Sequence, residues 1–199
     1  METVTKTDAA RRNLAAAIRL FFERGDPIAI HTLGAAAQTI IREVAKSRGL
    51  KHTSLLHDHP HIRPEARKVW IDILNTPRNF FKHADKDPNG TLIFDPANNE
   101  MLLLDAAITL SEIDERHLSE ANVFVGWFTT ANPGLRSVIS NNQIGEHAVR
   151  VGIAPTDFAR FRDLIGARIL IEPASYKEKP LTKEARKTSK KTVKKRAKK

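Results

Sequence analysis

The chain has 199 residues, no cysteine and 41% hydrophobic residues, enough apolar surface for one ordinary domain with a core. Without cysteine there are no disulfides, thiolate metal sites or thiol nucleophiles. The net charge of +10 is unevenly placed: residues 177–199 hold 12 Lys/Arg against 2 Asp/Glu, a net of +10. Residues 1–176 then hold 21 of each sign (33 less 12, and 23 less 2), a net of zero. The N-terminus, Met1 to Asp8, is polar and mixed in charge, unlike a secretory signal. No apolar run approaches the roughly 18 residues that span a bilayer, so a cytoplasmic protein without a membrane partner is expected.

In chain order the body reads as helix after helix. Asp8 is placed as the cap of a first helix to about Glu23, with Leu14, Ile18, Phe21 and Phe22 at helical spacing and Gly25 closing it. Asp26-Pro27 restarts the chain as an acidic cap followed by a proline at the first helical position. That second helix runs to about Arg48 on a stripe of Ile30, Leu33, Ala37, Ile40, Ile41 and Val44, and Gly49 stops it. Residues 50–63, with His52, His57, His59 and His61, read as a polar loop. Pro64 to Leu74 makes a short helix with Val69, Trp70, Ile73 and Leu74 inward, and Thr76-Pro77 starts another. Asp87 to Gly90 is a turn, Thr91 to Phe94 is extended, and Asp95-Pro96 opens a helix to about His117. Its first turns are apolar nearly all round, which places it at the centre of the fold. Helices over Ser119–Ala131, Leu135–Arg150 and Thr156–Ala167 complete the body. The architecture expected is a single all-α bundle of six to seven helices over residues 1–176, followed by a disordered Lys/Arg-rich tail over 177–199.

The densest group of reactive side chains is Asn75-Thr76-Pro77-Arg78-Asn79-Phe80-Phe81-Lys82-His83-Ala84-Asp85. At a helix N-terminus, free N–H groups and the dipole favour an anion. Arg78 could hold a phosphoryl group bidentately, and His83 could move a proton. Arg78-Asn79-x-x-x-His83 resembles the signature of the HEPN superfamily, small helical bundles of which many are metal-independent ribonucleases acting as dimers. The resemblance implies that Arg78 stabilises the charged transition state, His83 acts as acid or base, and Asn79 orients the phosphate or the histidine. The segments Phe21 to Thr32 and Asn79 to Asp85 also resemble a group of uncharacterised bacterial all-helical proteins, which implies a shared fold and no particular reaction. Read without either resemblance, Phe80, Phe81 and Ala84 are core, Thr76-Pro77 is a cap, and Arg78, Lys82 and Asp85 form a solvated or ion-paired face.

The remaining candidates are weaker. His57-Asp58-His59-Pro60-His61 with His52 carries metal-ligating side chains at spacings that fit no recognised site, and a polar loop without metal is expected. His31 sits among small apolar residues, as a hydrogen-bonded core histidine or as a partner for His83. Gly145, Gly152 and Gly166 form no phosphate loop, and no cofactor is implied. The tail residues Lys187, Lys190, Lys191, Lys194, Lys195, Arg196, Lys198 and Lys199 resemble the lysine-rich tails of linker-histone-like and nucleoid proteins. Such a tail binds nucleic acid, RNA or DNA, without sequence preference by releasing counterions. The leading expectation is therefore nonspecific nucleic-acid association through the tail. A HEPN-like ribonuclease and a helical interaction module, possible as a homodimer, stand as alternatives, and catalysis is left open.

Overall fold

The structure, a computed structural model, describes residues 1–167 except 52, 53, 58, 60, 61, 86, 137, 138 and 140–142. The tail and the boundary expected at residue 176 lie outside the described residues. Among those described, the chain forms seven α-helices, one 3-10 turn and no strand, as the all-α reading expects. The helices are α1 (Lys6–Phe22), α2 (Pro27–Ser47), α3 (Pro64–Phe80), α4 (Asn98–Ile113), α5 (Ser119–Ala131), α6 (Gln143–Arg150) and α7 (Phe158–Gly166), with the 3-10 turn at Pro133–Leu135. No helix among the described residues is long and apolar enough to cross a membrane.

Local chemistry sets most of the ends. The cap of the first helix lies three residues before Asp8: it is Thr5, its hydroxyl accepting from Asp8 N at 3.1 Å while the Asp8 carboxylate accepts from Thr5 N at 3.2 Å. Asp8 thus completes a capping box. Asp26 caps α2 as expected, accepting from Ala29 N at 2.8 Å ahead of Pro27. Between α1 and α2, the left-handed residue is Arg24 at φ 54°, and Gly25 N donates to Leu20 O at 2.8 Å. A side chain at Gly25 would press on Leu20 Cδ2 at 3.1 Å, so a larger residue one position after the reversal has to displace the leucine. The freed Arg24 guanidinium lies 5.0 Å over the Phe158 ring.

Helix α4 is central. Leu102 through Ala107 are all buried, and α4 packs on α1, α2 and α5. Beside it, Phe21 and Phe22 of α1, Phe124 and Trp127 of α5, and Phe158 and Phe161 of α7 form one aromatic core, with Phe21 4.8 Å from Trp127 and Phe22 stacked 6.0 Å from Phe161. At the opposite end of α1, Arg11 binds the α4–α5 connection through Asp114 (3.1 Å), Arg116 O (2.6 Å) and His117 O (2.8 Å).

Helix α3 departs most from expectation. It runs unbroken through Pro77, with Thr76 inside it instead of capping a new helix. Proline this close to the end forfeits only one backbone bond. Thr76 Oγ1 donates back to Asp72 O at 2.8 Å, and Phe81 N to Pro77 O at 3.0 Å holds the last turn. The helix is also turned about its axis: Val69 and Ile73 point outward, 62% and 58% exposed, while Arg67, Ile71, Leu74 and Arg78 face the body half-buried. Polar anchors set that register. Arg67 Nη1 donates to His57 O at 3.0 Å, Trp70 Nε1 to Leu56 O at 2.6 Å, and Arg78 Nη1 to Thr39 Oγ1 at 2.9 Å.

Helices α5 and α6 approach closely at Gly126, where a Cβ would fall 2.6 Å from Ile144 Cγ2. Gly126→Ala should therefore lower the unfolding free energy by about 1–3 kcal/mol through overpacking. Gly134→Ala, where a Cβ meets nothing within 4 Å, should change it by less than about 0.5 kcal/mol. Urea denaturation of the two variants decides it, and equal effects would contradict the close-approach account.

Candidate functional site

The arginine–histidine segment lies at the C-terminal end of α3, not at a helix start. Arg78 and Asn79 occupy its last turn, and Lys82 N and His83 N close the end on Asn79 O. The dipole there presents its negative pole and free carbonyls, the reverse of the anion-binding end expected. Arg78 is half-buried with its Nη1 on the Thr39 hydroxyl, whereas Asn79 and His83 are exposed. His83 Nδ1 lies 3.9 Å from Asp85, both largely in solvent. Phe80 and Phe81 are half-buried and Ala84 is exposed, so the expected three-residue core contact is partial. Phe81 meets the His31 ring at 5.6 Å and Phe94 at 5.2 Å.

His31 is a core histidine and not a partner of His83. Its Nδ1 lies 3.0 Å from Asn99 Oδ1, and the Asn99 amide nitrogen donates to Pro27 O at 3.0 Å. With Asn99 so oriented, Nδ1 carries the His31 proton. Nε2 is buried without a partner, and burial lowers the pKa despite the Asn99 bond.

The cluster that the segment draws attention away from is buried between α2, α4 and residues 54–57. Asp105 of α4 is fully buried, yet it accepts from Gln38 Nε2 (2.8 Å), Ser54 Oγ (3.0 Å to both oxygens), Leu55 N (2.5 Å) and Leu56 N (3.3 Å). Burial raises its pKa while these donors pull it back down. Gln38 Nε2 also lies 2.9 Å from His57 Nδ1. Its two hydrogens therefore serve one acceptor each, so Nδ1 accepts and the His57 proton sits on Nε2. Burial, then the charges of Arg42 and Arg78, push the His57 pKa down to about 4. The histidine is neutral throughout the physiological range.

A serine, a histidine and an aspartate meet here, but in the wrong order for nucleophilic catalysis. Ser54 gives its single proton to Asp105, His57 Nδ1 is occupied by Gln38, and Ser54 is 1% exposed. The arrangement is a clasp that fastens residues 54–57 to α4. His57, expected in a polar loop, is 5% exposed because this clasp turns it inward. His52, Asp58, Pro60 and His61 lie outside the described residues, and among those described no group of three or more His, Cys, Asp or Glu could hold a metal. The eight tail residues named above also lie outside them.

Asp105, Gln38 and Ser54 escaped sequence reasoning, although one signal was present. A carboxylate at Asp105 inside the apolar run Met101 to Ile108 has to be buried, and a buried carboxylate needs donors. No protein-family model, curated protein or solved structure matches the chain. The site is accordingly read from its own geometry.

Two outcomes follow from the clasp. Asp105→Asn places an amide among four donors and should cost about 1–3 kcal/mol of stability, with faster amide exchange at Leu55 and Leu56; unchanged exchange would refute the anchoring role. His57 has a folded pKa depressed to about 4 from 6.5. The unfolded chain takes up the proton first, so this contribution is complete above pH 6.5 and is lost as pH falls toward 4. His57→Asn keeps an acceptor for Gln38 but cannot titrate. Unfolding free energies of wild type and variant should converge as pH drops through that window, and parallel curves would exclude the effect.

Proposed function

We propose that this chain is a nucleic-acid-associated helical protein whose basic segment 177–199 supplies nonspecific affinity for phosphate backbones. The observation that carries the reading is the partition of charge, +10 in residues 177–199 against zero in residues 1–176. Supporting it, many arginines of the body are engaged internally: Arg11 with Asp114, Arg12 with Glu2, Arg19 with Glu120, and Arg116 with Asp8 and Asp114. Residues 1–176 carry no net charge, so long-range attraction for a polyanion rests with the terminal segment. That segment has almost no apolar residues, which favours nucleic acid over insertion into a lipid interface.

The ribonuclease alternative needs Arg78 and His83 on one phosphodiester. The half-buried position of Arg78 on Thr39 and the exposed pairing of His83 with Asp85 give it less support than the charge partition gives to binding. The outward Val69 and Ile73 of α3 favour the interaction-module alternative as a second reading.

Fluorescence anisotropy with duplex DNA and single-stranded RNA of unrelated sequences, across a salt series, tests the proposal. If the eight named cations each neutralise one phosphate, log K against log salt falls with a slope of about −7 for duplex. Replacing Lys190, Lys191, Lys194 and Lys195 by Gln in the full chain should flatten that slope by about 4. A slope that the four replacements leave unchanged would move binding to the body and defeat the reading.

A further inference from the structure

We infer that Arg42 and Arg78, together with the Thr39 hydroxyl, form a binding site on the helical body for a single phosphate group. This site is separate from the terminal segment. Thr39 and Arg42 stand one turn apart on α2, on the same face. Arg78 reaches them from α3, with Nη1 2.9 Å from Thr39 Oγ1. Thr39 in turn donates to Ala35 O at 2.8 Å, so its oxygen is fixed as the acceptor for Arg78. Arginines from two helices are thereby set around Thr39 on one face of α2, and the charge of each depresses the basicity of His57.

Their counter-charge is thin. Arg42 has 24% side-chain exposure and meets only the adjacent Glu43 among the described ion pairs, at 3.8 Å. Arg78 is half-buried, and among the described ion pairs none involves it; its hydrogen-bond partner there is a neutral hydroxyl. Partly buried cations are ordinarily matched by an acid, and two of them drawn together repel. An anion between them removes both costs. The ligand is phosphate rather than carboxylate, because two guanidinium forks can each engage two oxygens of a tetrahedral group. A side chain on a helix leans back toward the preceding turn, so the Arg78 head lies away from the negative end of α3 and toward α2. His57, held neutral by burial and then by the two arginines, adds no charge of its own. The phosphate can come from a nucleic-acid backbone or be free in solution.

Thermal unfolding of the full chain in inorganic phosphate, against chloride at matched ionic strength, is the test. At ten times its Kd, phosphate should raise Tm by about 3–6 °C. The rise should disappear in Arg42→Gln and in Arg78→Gln, shrink in Arg78→Lys, and persist when Lys190, Lys191, Lys194 and Lys195 are replaced by Gln. Persistence there separates this site from the terminal segment, whatever the fate of the salt-slope experiment. Because Arg78 also secures α3, Arg42→Gln is the cleaner variant, and proton NMR gives a second readout: saturating phosphate should raise the His57 pKa in wild type and not in Arg42→Gln. Competition by thymidylyl-thymidine, which carries one phosphodiester, assigns the site to nucleic-acid backbone, and lack of competition assigns it to free phosphate. No rise above the chloride control, or a rise that survives both arginine replacements, overturns the inference.

Discussion

The buried carboxylate of Asp105 is the constraint around which one half of this fold is arranged. A lone charge at the centre of a helix bundle is untenable unless donors surround it. The chain supplies them from Gln38 of α2, the Ser54 hydroxyl and two consecutive backbone amides. Satisfying Asp105 thus fixes the path of residues 54–57. That path presents the carbonyls of Leu56 and His57 to Trp70 and Arg67, so the position and rotation of α3 follow from a carboxylate on α4 that α3 does not touch. The effect passes along hydrogen bonds, which are directional, and this explains why α3 settles with its most apolar edge outward.

The other half is held by different physics. Phe21, Phe22, Phe124, Trp127, Phe158 and Phe161 join α1, α5 and α7 through edge-on and stacked rings, with Trp127 Nε1 satisfied by Pro155 O at 2.9 Å. Such packing tolerates changes of condition that a polar clasp does not, since it contains no group that titrates near neutrality. The side chains argued to bind a phosphate lie in the polar half, where arginines are fixed by neutral partners and keep donors to spare. The aromatic half serves as the rigid support.

Elements whose signals are local were legible in the sequence. Asp26-Pro27 gave the start of α2, the apolar run from Met101 gave the central helix, and Ser119 to Ala131 was found with both ends correct. Two errors share one cause. Thr76-Pro77 has the chemistry of a helix start, but an α3 already formed absorbs a proline near its end at small cost. Val69, Trp70 and Ile73 have the spacing of a buried stripe, but Arg67, Trp70 and Arg78 are anchored by long-range partners that periodicity cannot reveal. The inward turn of His57 was hidden for the same reason: its partner Gln38 is 19 positions away, and Asp105, which anchors the adjoining Ser54, Leu55 and Leu56, is 48 positions away.

The thin attachment of α3 has a kinetic side. None of its residues is buried, and among the described residues three side-chain hydrogen bonds, with the half-buried Ile71 and Leu74, hold it to the body. Detaching such a helix exposes little apolar surface, so its opening free energy lies far below that of the bundle. Two states of that face follow, with Thr39 and the carbonyls of Leu56 and His57 either covered by α3 or bare. The traffic between them is governed by polar contacts, which respond to pH and salt, and hardly at all by the aromatic core that keeps the rest of the chain folded.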